Sequence, residues 1–136
     1  MISSWILAAR LRTLPAAIAP VMLGCALAYG EQKSHLLAAV AAMLGAILIQ
    51  IGTNFANDYF DFINGADTED RIGPTRATQA GLITPTNMKW AFVFTFAATL
   101  PIIVYLTVRG GAPIVWIGLA SIASGILYTG GPKPLG

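Results

Sequence analysis

LLAAVAAMLGAILIQIGTNFANDYFD, residues 36–61, is the stretch on which the reading of this chain turns. It opens as an apolar, alanine- and leucine-rich run and ends in a cluster of amides and carboxylates. Gln50, Asn54, Asn57 and Asp61 recur at steps of four, three and four, which aligns them on one face of a helix. Polar groups on a lipid-embedded helix are costly, so such a stripe faces a water-filled or protein-lined cavity. Ala38, Ala42 and Ala46 repeat every four residues and offer a small-residue face for a neighbouring helix. The stretch therefore predicts a membrane span, about residues 36–56, that delivers polar side chains to one mouth of a bundle.

Composition carries this to the whole chain. Of 136 residues, 56% are hydrophobic and 10% charged, with a mean hydropathy of +0.70. A soluble domain carries roughly 25% charged residues, so this chain lacks the polar surface to stay in water. Apolar runs are also predicted at about 14–29, 88–108 and 112–128, giving an all-α, polytopic transmembrane bundle with four spans. No alternating in/out pattern suggests a β-barrel. Pro15 suits a first helical turn, whereas Pro20 should kink its span. The lone Cys25 cannot form an internal disulfide or a zinc site, and it reads as a small buried hydrophobe. Arg10 and Arg12 imitate a signal-peptide n-region, but the run that follows flows into a multi-span pattern without a small-residue cleavage site. A net charge of +2, scattered along the chain, gives no reason to expect a nucleic-acid partner.

Basic residues orient the spans. With the N-terminus inside, the inner segments hold Arg10, Arg12, Arg71, Arg76, Lys89 and Lys133, and the outer turns hold only Lys33 and Arg109. That bias puts the long connection between the second and third spans, residues 57–87, in the cytoplasm of a cell with this protein in its inner membrane.

This connection contains five of the six acidic residues: Asp58, Asp61, Asp67, Glu69 and Asp70. Asn57, Asp58 and Asp61 lie within about one helical turn, and Gly65 frees the backbone to return Asp67 toward them. Clustered oxygen donors suit a hard cation such as Mg²⁺, which in turn suits a phosphate-bearing substrate. Arg71 and Arg76 can fork onto phosphate oxygens or act only as topology signals. Lys133 can reach an anion from the end of the fourth span or snorkel to headgroups, and Tyr128 can line a pocket or sit in an interfacial belt. Carboxylates for metal and arginines for an anion favour ionisation of an allylic diphosphate, with an electron-rich aromatic acceptor trapping the cation. The order of an EF-hand loop is absent.

Asn57-Asp58-Tyr59-x-Asp61, then Gly65-x-Asp67, then Asp70-Arg71-Ile72-Gly73-Pro74-x-Arg76, resembles the UbiA-type intramembrane aromatic prenyltransferases. The match is to the branch acting on 1,4-dihydroxy-2-naphthoate in menaquinone biosynthesis. Arg12-Thr13-Leu14-Pro15-Ala16-Ala17 with Ala19-Pro20-Val21 resembles the opening span of that branch, and Tyr128-Thr129-Gly130-Gly131-Pro132-x-Pro134-Leu135-Gly136 the end of its fourth. The resemblance implies a bundle of about nine helices, of which four are present, with a site between two acidic motifs on the cytoplasmic side. It implies transfer of a polyprenyl group from polyprenyl diphosphate to the naphthoate, giving demethylmenaquinone, with Mg²⁺ as cofactor and the lipid bilayer as surroundings. By position, Asn57, Asp58, Asp61 and Asp67 would hold the metal, with Asp58 and Asp61 as the catalytic pair. Asn57, Arg71, Arg76, Lys133 and Tyr128 would contact substrate.

The broader superfamily often places an acid where Gly65 stands, and many relatives of the naphthoate branch carry a basic residue where Asn64 stands. The chain ends after the fourth span, so the resemblance makes it an N-terminal part of one membrane domain, expected to be inactive alone. Other aromatic acceptors, such as 4-hydroxybenzoate or homogentisate, are alternatives, and so is a fragment of a cation transporter. Acids in spans mark ion paths as readily as catalytic sites. The arginine pair separates the classes, because a cation path gains nothing from guanidinium groups beside its ligands.

Overall fold

The computed structural model describes residues 2–65 and 76–131, and every regular element among them is a helix. Helix α1 spans Ile2–Ala9, a 3₁₀ turn covers Leu11–Thr13, and α2 spans Leu14–Gly30. Helices α3 (Leu36–Ile63), α4 (Pro85–Gly110) and α5 (Pro113–Leu127) follow. Local chemistry explains the boundaries. Prolines occupy the first turns of α2, α4 and α5, where a missing N–H costs nothing. His35 Nδ1 accepts the Ala38 N–H (3.2 Å) and Thr84 Oγ1 accepts the Asn87 N–H (3.3 Å), capping α3 and α4. Gly111, at φ +91°, makes the sharp turn into α5.

Three segments are long and apolar enough to cross a membrane: Ile2–Gly30 taken together, α3 and α4. Helix α5 is also apolar but has 15 residues, about 22 Å at 1.5 Å per residue. The chain is thus an all-α, polytopic membrane bundle. Large apolar side chains face outward as a bilayer requires, among them Leu36 (82% exposed), Val108 (81%) and Trp116 (72%).

Helix α3 departs from the expected end at Ala56 by continuing to Ile63. Residues 57–63 are therefore helical, and only from Asn64 onward does the chain leave the helix. The reason is that nothing between Asn57 and Ile63 stops a helix, whereas Gly65 at φ +64° does. At about 42 Å, α3 outreaches the roughly 30 Å hydrocarbon layer and carries its polar end beyond it.

Burial is concentrated at that end. Phe55, Ala56, Ala77, Ile83, Met88, Phe92 and Phe96 form an apolar cluster with Ala8 and Ala9 of α1. Trp5 meets Phe55 edge to face at 5.7 Å, so it packs on α3 and does not simply anchor at the membrane surface. Gly52 lets α3 and α4 close up, since a Cβ there would lie 2.8 Å from the Phe96 ring. The alanine stripe of α3 meets α2 less tightly: Ala38 and Ala42 line an apolar cleft of about 630 Å³ with Val21, Gly24 and Cys25.

Candidate active site

The polar stripe of α3 divides into two parts. Gln50 and Asn54 reach toward the break between α1 and α2. Asn54 Nδ2 donates to the Ala9 carbonyl and to Thr13 Oγ1, both at 2.9 Å, and Gln50 Nε2 donates to the same hydroxyl at 3.3 Å. Thr13 Oγ1 passes its own proton to the Arg10 carbonyl (2.9 Å). These bonds secure a backbone reversal in which Arg10 holds a left-handed conformation, φ +51°. Asn54 is 3% exposed and belongs to the joint between helices.

One turn further on, α3 meets the end of α5. Asn57 Oδ1 accepts the hydroxyl proton of Thr129 at 2.9 Å, and Asn64 Nδ2 donates to the Thr129 carbonyl at 3.1 Å. Gly130 makes this approach possible, because a Cβ there would lie 2.7 Å from the Ile126 carbonyl oxygen and 2.9 Å from the Phe60 ring. Tyr59, Phe60 and Phe92 form an aromatic group beside this joint, with ring centroids 5.2–5.8 Å apart.

The third partner is the chain returning from the connection. Residues 76–81 form a turn in which the Ala80 N–H donates to the Arg76 carbonyl and the Gly81 N–H to the Thr78 carbonyl, both at 3.0 Å. Asp58 caps this turn. Its Oδ2 accepts the Ala77 N–H at 2.9 Å and its Oδ1 the Thr78 N–H at 3.0 Å. Asp61, next along the same face, forms a buried ion pair with Arg76. Asp58, Asp61, Arg76 and Thr78 are all buried, at 1%, 9%, 7% and 3% exposure. Inside a low-dielectric site these bonds are stronger than their counterparts in water, and losing one partner is correspondingly costly.

The structure thus brings together Asn57, Asp58, Asp61 and Arg76 of the residues expected from sequence. Tyr128 stands apart: its side chain is about half exposed on the outside of the α5 end. Asp67, Arg71 and Lys133 lie outside the described residues, as do Glu69 and Asp70.

Residues 17–136 match the model of the UbiA prenyltransferase family. The chain belongs to that family. Among curated proteins it is 38% identical to the 1,4-dihydroxy-2-naphthoate octaprenyltransferase of Haemophilus influenzae, over 97% of this chain and 46% of that protein. The enzyme of the same name from Escherichia coli is 37% identical over 98% of this chain and 45% of its own length. That of Mycobacterium tuberculosis is 37% identical over 98% and 46%. The chain spans about half the length of the curated relatives it matches. No solved structure matches it.

The donor set of this UbiA mouth is made of oxygens: the Asn57 amide and the Asp61 carboxylate, beside Asp58, whose two carboxylate oxygens already accept backbone amides. Among the described residues no group of three His, Cys, Asp or Glu side chains could hold a metal ion. Mg²⁺ in phosphate chemistry is held by one or two carboxylates and completes its shell with phosphate and water oxygens. The residues present fit that mode. In addition the Thr78 hydroxyl oxygen is buried without a hydrogen-bond partner among the described residues, an arrangement that native interiors rarely leave standing.

Thr13, Thr78 and Thr129 are the site residues that sequence reasoning passed over. Thr13 and Thr129 lie inside the two flanking motifs quoted for the family resemblance, which was the available signal. Nothing in the sequence singles out Thr78.

Proposed function

We propose that this chain supplies the diphosphate-gripping part of an intramembrane enzyme that moves a polyprenyl group from its diphosphate to 1,4-dihydroxy-2-naphthoate. The observation that carries the reading is the buried Asp61–Arg76 pair beside Asn57 and Asp58 at the mouth of an otherwise lipid-dressed bundle. The names of the relatives support the naphthoate as acceptor. The excess of basic residues on the segments flanking this mouth supports a cytoplasmic orientation in the inner membrane.

In the reaction the allylic C–O bond breaks and its electron pair leaves with the diphosphate. The prenyl carbon bonds to the naphthalene ring, and the acceptor's carboxylate departs as carbon dioxide. Asn57 and Asp61, with Asp67, would hold Mg²⁺, which would supply Lewis-acid neutralisation of charge on the leaving group. Arg76 adds fixed positive charge and a fork matched to phosphate oxygens. Arg71 and Lys133 would provide further anion contacts. A cation-conducting role gains no support from a guanidinium group paired with the ligand carboxylate.

The test is Asp61→Ala in the protein expressed at native length in membranes. Prenyl transfer from farnesyl or longer diphosphates is expected to vanish while membrane insertion is unchanged. Normal turnover removes Asp61 from the site, and turnover without any divalent ion removes the mechanism.

A further inference from the structure

We propose that Asp58 is a positioning residue that holds Arg76 for the diphosphate and is not itself a metal ligand. The proposal rests on the functional reading above and divides the acidic motif into two tasks.

Both Asp58 oxygens are committed to backbone amides, Oδ2 to Ala77 and Oδ1 to Thr78, and the residue is 1% exposed. Each oxygen keeps a second lone pair, but at 1% exposure an ion would reach it only by opening the turn that these charge-assisted bonds close. Arg76 immediately precedes the two bonded amides, and its side chain runs to Asp61, three residues beyond Asp58 on α3. One turn of α3 therefore holds residues 76–78 twice, by main chain through Asp58 and by side chain through Asp61. The second hold is exchangeable: when Asp61 takes the metal, the guanidinium group is released to the phosphate oxygens. Asp58 then keeps Arg76 in place throughout. The same two bonds fix the backbone of Thr78, whose buried hydroxyl has no partner among the described residues.

The experiment measures binding of farnesyl diphosphate, without acceptor, to the native-length protein in nanodiscs as Mg²⁺ is titrated. In Asp58→Asn the farnesyl diphosphate Kd at saturating Mg²⁺ should rise roughly tenfold, the scale of one charge-assisted hydrogen bond. The Mg²⁺ half-saturation should stay within about twofold in Asp58→Asn, whereas Arg76→Gln should weaken farnesyl diphosphate alike and, by removing the guanidinium that competes for Asp61, lower the Mg²⁺ half-saturation. The decisive arm is the double variant Asp58→Asn/Arg76→Gln, which should bind no more weakly than Arg76→Gln alone. A merely structural Asp58 would give additive losses, and a metal ligand would raise the Mg²⁺ half-saturation in either background; each outcome overturns the proposal. Should Asp58→Asn fail to fold, Asp58→Glu serves instead, keeping the charge while its longer arm misplaces the bonds to both amides. If the unsubstituted protein shows no Mg²⁺-dependent binding, the functional reading fails first, and the two failures are told apart.

Discussion

Replacing Asn54 by Leu tests whether the upper half of the polar stripe joins helices and does not bind ligand. The side chain is 3% exposed and donates to the Ala9 carbonyl and Thr13 Oγ1, both at 2.9 Å. Leu keeps the branched heavy-atom skeleton of Asn, so the principal loss is two hydrogen bonds. In water-soluble proteins a buried acceptor left unpaired costs about 1–3 kcal/mol. Hydrogen bonds between membrane helices average about 0.6 kcal/mol and reach about 1.7. The two bonds together then give about 1–3 kcal/mol. Added apolar surface offsets little of this, because lipid in the unfolded reference is as apolar as Leu. A loss near 2 kcal/mol lowers the folding equilibrium constant roughly thirtyfold. Gln50→Leu is the internal control: its one bond is 3.3 Å long, and Thr13 keeps both Asn54 and the Arg10 carbonyl as partners. Its loss should stay below about 0.6 kcal/mol. Reversible unfolding in mixed micelles, read by tryptophan fluorescence at native length, measures both. Equal losses for the two variants, or a stabilised Asn54→Leu, would refute this division of the stripe.

Gly52→Ala should destabilise by about 1 kcal/mol, because an overpacking cost of about 1–3 kcal/mol outweighs the better helix propensity of Ala. Since the Phe96 ring is what a Cβ would strike, Phe96→Leu in the same chain should recover part of the loss; strictly additive unfolding energies would show that α3 and α4 do not meet there. Thr129→Val keeps the shape but removes the hydroxyl donated to Asn57 Oδ1, and stability should fall by about 1 kcal/mol. The same micelle unfolding reads it, and an Asn57→Leu background should abolish the effect.

Much of this arrangement is written in α3 and much is not, for a physical reason. The polar stripe is legible because helical periodicity is local: steps of three and four align side chains whatever surrounds them. Its division is not legible, because Thr13 lies 41 residues from Asn54 in sequence and only folding makes them neighbours. A carboxylate after an apolar run suggests the start of a loop, yet α3 continues to Ile63. The suggestion holds for a helix entering water alone. Here Asp58 and Asp61 are buried because the turn at Arg76–Thr78 supplies two amides and a guanidinium group, and the turn in its place exists because those carboxylates hold it. Main-chain amides carry no sequence signature, so Ala77 and Thr78 gave no hint of being the partners of Asp58. Helix and turn therefore stabilise each other, and neither is favourable alone: a bare carboxylate pair would not stay buried, and an uncapped turn would not stay closed. For this family member the acidic motif is as much a folding device for the mouth as a site for chemistry. On the proposed reading, a substitution at Asp58 would cost binding without touching a single ligand atom.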